Sequence, residues 1–378
     1  MKTVILVCAG MADEPIEELK GRTPLEVAKT PNIDFLAHKG SLAQSLFVPG
    51  DLRPSGEVAA MSLLGFDPQE FYTGIAPLEA LAMHIPQTDR AIAFRCQLVT
   101  VLDQGLVDIY SGNIPQTESK LLIHALNEKL SNDRFKFYSG ESFRNILMVD
   151  DAELSESLDE LECASPQSVV GQRVLKNLPK GPGASGILEL IEAAKTILEN
   201  HEINKVRIDL GENPANAIWL WGQGKQPKIP TFQQRFNLAG GIVSSSVAVQ
   251  GLAEALGLER MDDSDGAIEK KDFVFVYHAL TEGHAMDLTS KIKRIEEFDA
   301  SVVGPVLRKL KNTEHRLCVA TDMLLPLSKK NAVHGYVPLL FEGPLAKAGR
   351  GAAFNEKNAL QSQQVFNEGW KMMEFFLK

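Results

Sequence analysis

The sequence predicts an α/β protein of two domains. Short apolar runs alternate with longer stretches of helical periodicity through much of the chain, the α/β pattern. At 378 residues the chain also exceeds the ~250–300 residues at which a single hydrophobic core stops growing. The middle of the chain differs in texture, with the acidic, aperiodic run Asp150–Glu162, the turn-rich Lys180–Gly186 and the tryptophan-bearing Ile218–Gly224. That change suggests a middle domain inserted into a divided one.

Each element has its own warrant. Thr3–Cys8 is an unbroken apolar run and reads as a first buried strand. Further strands are expected at Ala91–Val101, Phe143–Val149, Asp272–Tyr277 and Arg316–Ala320. The last two are continuous apolar runs bounded by charge, as in parallel strands covered on both faces. Helices are expected at Leu121–Leu130, Gly186–His201, Ser244–Leu256, Leu288–Leu310 and Gln361–Leu377. Within Leu288–Leu310, the residues Ile292, Ile295, Phe298, Val302 and Val306 recur three to four apart and make one apolar stripe. Asp150–Glu162 reads as a solvated loop, and Lys180–Gly186 as a turn closing onto a helix.

Composition excludes several classes. Hydrophobic residues make up 44% and charged residues 23%, an ordinary globular balance that rules out a disordered chain or a coiled-coil rod. The formal net charge is -10 and Lys and Arg are scattered, so no nucleic-acid partner is expected. A small anion remains compatible, because a pocket needs only a few local arginines. Cys8, Cys96, Cys163 and Cys318 lie far apart without zinc or Cys-x-x-Cys spacing, the pattern of reduced thiols in the cytosol. No apolar run approaches the ~18–20 residues of a membrane span. The apolar start is followed at once by Asp13-Glu14, unlike a signal peptide. A cytoplasmic location and no membrane partner are the expectation.

Longer motifs then accumulate in order. They are Gly10-Met11-Ala12-Asp13, Arg22-Thr23-Pro24-Leu25-Glu26, Thr30-Pro31-Asn32-Ile33-Asp34 and Ser62-Leu63-Leu64-Gly65-Phe66-Asp67-Pro68. Next come Tyr72-Thr73-Gly74-Ile75-Ala76-Pro77-Leu78-Glu79-Ala80, Ala93-Phe94-Arg95-Cys96, Pro214 to Gly224, and Gly283-His284 before Asp287-Leu288. With them the chain resembles the archaeal-type, cofactor-independent phosphoglycerate mutases of the alkaline phosphatase superfamily over nearly its whole length. The resemblance implies an alkaline-phosphatase-like, mostly parallel sheet flanked by helices, formed by residues 1–85 and 216–378. It implies a smaller α/β substrate-binding domain at 86–215. It also implies interconversion of 3-phosphoglycerate and 2-phosphoglycerate through a phosphoserine, with two manganese or magnesium ions activating the serine and clamping the phosphate.

The residues at the family's site positions depart from that chemistry. The first metal-ligand aspartate is replaced by Ala9, and a methyl group binds no metal. The nucleophile position in Pro54-Ser55-Gly56-Glu57 holds Gly56, with Ser55 beside it. Two readings of Ser55 stand: a nucleophile after a small backbone shift, or the cap of a helix beginning near Glu57. Neighbouring residues point in different directions, and in-line transfer is geometrically demanding. The family's Asp-Glu-Ala-Gly-His is Leu280-Thr281-Glu282-Gly283-His284 here, keeping His284 but placing Leu280, or Thr281 if one residue is deleted, at the aspartate. Asp322 is kept, while Met323 replaces its neighbouring histidine, and a thioether suits manganese or magnesium poorly. Ala332 falls at the last histidine, with His334 two residues on, either a displaced ligand or a surface histidine.

His284 and Asp322 thus survive as vestigial ligands, and one carboxylate would face two dications. No cofactor is expected, manganese or magnesium entering only if the site were rebuilt. On the substrate side, Arg95 and Arg144 match phosphate- or carboxylate-gripping arginines, a role suited to the guanidinium fork, or else form a salt bridge across the domain interface. Asn113, Gln167-Ser168, Ala239 and Gln250 stand where the family carries charged or proton-transferring groups. Trp219 and Trp221 read as domain-junction packing.

Three functions are therefore expected in competition. The first is a fold-retaining, catalytically silent family member that binds a protein partner. The second is a mutase or phosphatase with relocated groups drawn from Ser55, His278, His284, Asp322 and His334. The third is a sensor that holds a small anionic metabolite through Arg95 and Arg144. Fold alone does not choose among them.

Overall fold

The structure is a computed structural model that describes residues 1–280, 286–329, 331–344 and 352–378. Its strands, in chain order, begin with β1 (Lys2–Ala9) and β2 (Ser41–Ser45). The middle contributes β3 (Ile92–Leu102), β4 (Gly105–Asp108), β5 (Phe135–Glu141), β6 (Arg144–Val149) and β7 (Ala217–Gly224). The end contributes β8 (Gly240–Ser244), β9 (Glu259–Arg260), β10 (Phe273–Ala279), β11 (His315–Ala320), β12 (Val337–Glu342) and β13 (Val365–Phe366). Two compact units result: Met1–Tyr72 with Lys228–Lys378, and Thr73–Pro227.

The first unit carries the eight-stranded sheet β13-β2-β12-β11-β1-β10-β8-β9. Only the pairs β11–β12 and β12–β2 are antiparallel, so the sheet is mostly parallel, as expected. β1 lies at its centre, pairing Val7 with Tyr277 of β10 and with Ala320 of β11. Its run is apolar without alternation because both faces are covered. Val4, Leu6 and Cys8 pack with Val274, Val276, Leu317 and Val319 against Ile295, Phe298, Val303 and Val306 of the helix region after Asp287. On β10, Phe273, Phe275 and Tyr277 alternate to the opposite face.

The predicted helix Leu288–Leu310 forms in three parts: an α-helix Leu288–Phe298, a π-turn Asp299–Val303 and an α-helix Gly304–Leu310. At its start Lys291 is fully buried on an ion pair to Asp13 (Nζ–Oδ2 2.7 Å) and also donates to the carbonyls of Ala12 and Leu325. Burial pulls its pKa down, and the Asp13 carboxylate opposes that shift.

The segment Gln361–Leu377 corrects the helix expected there. Val365–Phe366 joins the sheet edge beside β2, and only Met372–Phe376 is α-helical. Gly369 explains the break, because its amide bonds the Leu46 carbonyl and a Cβ there would lie 2.5 Å from that oxygen. Phe366, Phe375 and Phe376 are placed instead around Phe341.

The second unit is built on β5-β6-β3-β7, with β4 hairpinned onto β3. Its boundaries fall at 72/73 and 227/228 rather than 85/86 and 215/216. Strand pairing is the reason at one end: β7 sets Trp219 opposite Gln97 and Trp221 opposite Arg95. The two tryptophans are therefore strand residues of this unit. Trp219 donates to the Ala164 carbonyl, and Trp221 to Gln97 Oε1. At the other end, the helix Ile75–Ala82 buries Ala76 and Ala80 against Ala91, Ala93, Ile146 and Met148. The acidic run Asp150–Glu162 contains a short helix, Ser155–Asp159, with Leu158 buried.

Candidate functional site

Parallel α/β sheets place their chemistry at the carboxyl ends of the strands, and the first unit follows that rule. Ala9 ends β1, Tyr277 and His278 lie near the end of β10, and Asp322 follows β11 by two residues. The helix Gly56–Leu63 starts beside the same edge, with Gly56 at its first position. An alanine-sized Cβ built on Gly56 would lie 2.4 Å from the Tyr277 hydroxyl and 3.9 Å from Asp322 Oδ2. Gly56 is thus required for space.

Tyr277 and Asp322 form a closed pair. The Tyr277 hydroxyl donates to Asp322 Oδ2 at 2.8 Å, and Oδ1 accepts from the amides of Gly10 (2.7 Å) and Met323 (2.8 Å). Both side chains are buried. Burial raises the Asp322 pKa against the pull of these hydrogen bonds, and burial together with the Asp322 charge holds the tyrosine well above its ordinary range. A phenol in this setting stays protonated and remains a donor. Both carboxylate oxygens are engaged within the protein.

Ser55 is the residue preceding the helix, but its hydroxyl makes no capping bond. It donates instead to Glu57 Oε1 at 2.7 Å, an oxygen that also accepts from the Tyr72 hydroxyl at 2.9 Å. Ser55 therefore does not play the capping role, and among the described residues its hydroxyl is hydrogen-bonded to Glu57. His334 is exposed, with Nε2 2.8 Å from the Leu52 carbonyl and 3.1 Å from that of Pro49. A ring nitrogen between two carbonyls carries the proton and is turned away from metal ligation. His278 is exposed on β10, its ring 5.8 Å from that of Phe298.

The remaining positions separate further. Leu280 is fully buried in the apolar core of the first unit and donates its amide to the Ala9 carbonyl. Met323 and Ala332 are half-buried. His284 and Thr281 lie outside the described residues. Two divalent ions need several converging carboxylates and imidazoles, and the described side chains do not fit that demand. Ala9, Gly56, Leu280, Met323 and Ala332 bring no suitable donor, and Asp322 is already satisfied. No group of three or more His, Cys, Asp or Glu placed to hold an ion occurs among the described residues.

In the second unit, Arg95 and Arg144 are brought near one another. Arg95 is gripped by Glu79, with Nε donating to Oε2 at 2.7 Å and the second arm of the fork paired to Oε1, and Trp221 lies under the guanidinium at 4.7 Å. This ion pair is internal to the unit. Arg144 lies over the Phe143 ring at 4.9 Å. Its pKa is drawn down by burial first and by Arg95 second, with Glu79 and Glu141 opposing.

Sequence reasoning missed Tyr277, Glu57 and Glu79. Tyr277 is legible in the sequence only as the end of an apolar strand, and Gly56 does not reveal that the Tyr277 hydroxyl lies where its side chain would stand.

A mostly parallel sheet with site positions on its carboxyl edge, and a second α/β unit inserted into its unit, defines the alkaline-phosphatase-like class that was expected. Comparison with known proteins narrows the class. A model of the 2,3-bisphosphoglycerate-independent phosphoglycerate mutases matches residues 37–204. The chain is 33% identical to a probable mutase of that description from Geobacter sulfurreducens, with all of each chain covered. It is 34% identical to a second one from Methanothermobacter thermautotrophicus, covering 100% of this chain and 97% of the relative. Among solved structures, a Pyrococcus horikoshii protein shares the fold at TM-score 0.82 and 23% identity, covering 100% of this chain and 96% of that one. The cofactor-independent phosphoglycerate mutase of Thermoplasma acidophilum does so at 0.64 and 24%, covering 100% and 99%. The chain belongs to the 2,3-bisphosphoglycerate-independent phosphoglycerate mutase family.

Proposed function

We propose that this chain is a catalytically silent member of its family, a cytoplasmic protein that keeps the mutase fold without phosphoryl transfer. The observation that carries the reading is the Tyr277 hydroxyl, 2.4 Å from where a Cβ on residue 56 would stand. A nucleophile cannot occupy space that a buried, hydrogen-bonded phenol already fills. The donor set supports the same reading. Asp322 spends its oxygens on Gly10, Met323 and Tyr277, and Ala9, Leu280 and Met323 offer nothing for hard dications. Arg95 is likewise committed to Glu79 and Trp221, so a sensor role through Arg95 and Arg144 is disfavoured.

The test is a manganese-supplemented phosphoglycerate mutase assay on protein purified from a host deleted for its own mutases, paired with elemental analysis. Protein without turnover, without stoichiometric manganese, magnesium or zinc, and with a cooperative thermal transition is the expected outcome. Two equivalents of metal with turnover that Ser55→Ala abolishes would sink the proposal and establish a relocated site.

A further inference from the structure

The second unit contains a cavity of about 410 Å³ that no part of the family chemistry uses. Its floor is the buried strand β7, through Ile218, Trp219 and Leu220, and one wall is Leu188 and Ile191 of the helix Ala184–Glu199. A strap from Val174 to Pro179 forms the roof. The strap is anchored on both sides of its arch. Val174 N–H donates to the Gln104 carbonyl at 2.9 Å, and Lys180 and Glu162 exchange backbone hydrogen bonds at 2.9 and 3.2 Å. The turn that offers Gln104 is itself fixed, with Asp103 and Gln104 both at positive φ. These bonds fix the strap to the rest of the unit at both of its ends.

Size and lining decide what fits. A water occupies about 30 Å³ of liquid, and the volume falls in the roughly 300–1,000 Å³ range of small-molecule sites. The polar lining groups are Gln104, Glu192 and Lys195. Glu192 and Lys195 stand three residues apart on the same helix and bring one charge of each sign to the lining, and Lys195 has a long contact to Glu199 at 3.8 Å. Gln104 adds an uncharged amide that both donates and accepts. Leu175, 71% exposed, and exposed Gln104 and Glu192 mark the mouth.

We infer that this cavity is a binding site for an uncharged amphiphile, with its apolar body against Ile191, Ile218 and Leu220 and a hydroxyl- or amide-type head at Gln104, Glu192 and Lys195. The site lies wholly in the second unit, and the inference does not depend on whether the family chemistry survives.

The experiment titrates the full chain with 1-octanol, octanoate and octylamine by calorimetry. Trp219 emission is followed in a Trp221→Phe, Trp370→Phe background. Expected is saturable one-to-one binding of 1-octanol with a change in Trp219 emission, and binding of both ions weaker by about tenfold or more. Ile191→Trp fills the cavity, and the exposed-rim variant Leu175→Asp makes its mouth polar without touching the core. Each should weaken 1-octanol at least about tenfold while the thermal transition stays cooperative. Absence of saturable binding by 1-octanol, or binding unchanged in Leu175→Asp and in a folded Ile191→Trp, overturns the site. Tighter binding of either ion than of 1-octanol overturns the uncharged head group.

Discussion

Gly56 and Tyr277 are coupled through contact between atoms that share one small volume. Adding a side chain at 56 drives Cβ into the Tyr277 hydroxyl at 2.4 Å, whereas the next ring atom, Cζ, stands at 3.4 Å. Gly56→Ser should therefore cost about 1–3 kcal/mol by overpacking. Tyr277→Phe should cost about 1–3 kcal/mol by leaving Asp322 Oδ2 without its donor. The double variant should be less destabilised than the sum by about 1 kcal/mol, because removing the hydroxyl opens space for the serine. Urea unfolding of the four proteins checks this, and strict additivity would mean the contact is not limiting. At this scale the lack of metal-binding or nucleophilic side chains at Ala9, Gly56, Leu280 and Met323 is legible, since a residue type declares its own donor set. Tyr277 is not, because its partners Gly56 and Asp322 come from distant parts of the chain and meet only in the fold.

Among elements, the helix region after Asp287 shows how a readable pattern can hide a local device. The predicted stripe ran through Ile292, Ile295, Phe298, Val302 and Val306, but the buried positions are Ile295, Phe298, Val303, Val306 and Leu310. The step from 298 to 303 is five residues, matching the i→i+5 hydrogen-bond spacing of the wider π-turn between them. The wider turn rotates the stripe and brings Asp299 inward. Its carboxylate accepts from the amides of Asn32 (3.2 Å) and Ile33 (2.8 Å) and from Asn32 Nδ2 (2.8 Å), at the start of the helix Pro31–Lys39. Thr30, the residue before that helix, makes no side-chain capping bond. Asp299 takes over the cap from a remote element. Asp299→Ala should lose about 2 kcal/mol, as for a buried charged acceptor and a helix cap together, with Asp299→Asn losing less. Thermal unfolding of both variants measures it, and equal losses would show that shape rather than hydrogen bonding matters there. The strands Thr3–Cys8, Phe143–Val149 and Arg316–Ala320 were readable because burial on both faces, or a regular pleat, writes itself into composition. The edge strand Val365–Phe366 was not, since its place depends on the Gly369 backbone meeting Leu46.

For the whole molecule, two units of unlike connectivity follow from the pairing of β7 with β3. The inserted unit is one continuous segment with its own apolar core, including Ile92, Phe94, Leu122, Phe137, Leu147, Ile187 and Ile218. Residues 73–227 expressed alone should fold with a cooperative melt and dispersed amide resonances. A non-cooperative transition would count against its independence. Division of the chain was legible in the change of texture, but the boundaries were not, because Trp219 and Trp221 look the same in a junction as in a strand.

The ends of that inserted unit are fastened to each other, with the Thr73 hydroxyl donating to the Lys225 carbonyl at 2.6 Å and Gly74 packed against the Gln223 backbone. Once the insertion has folded, the flanking segments are joined by a clasp a few ångströms wide instead of a long floppy tether. Between β1 and β10 the clasp bypasses 155 of the 263 loop residues, a little over one halving of the loop, which removes about 0.8 kcal/mol of closure entropy from the encounter of the two strands. The clasp therefore favours an order of assembly during synthesis: the insertion matures first, and the strands of the divided sheet then meet across a shorter effective loop.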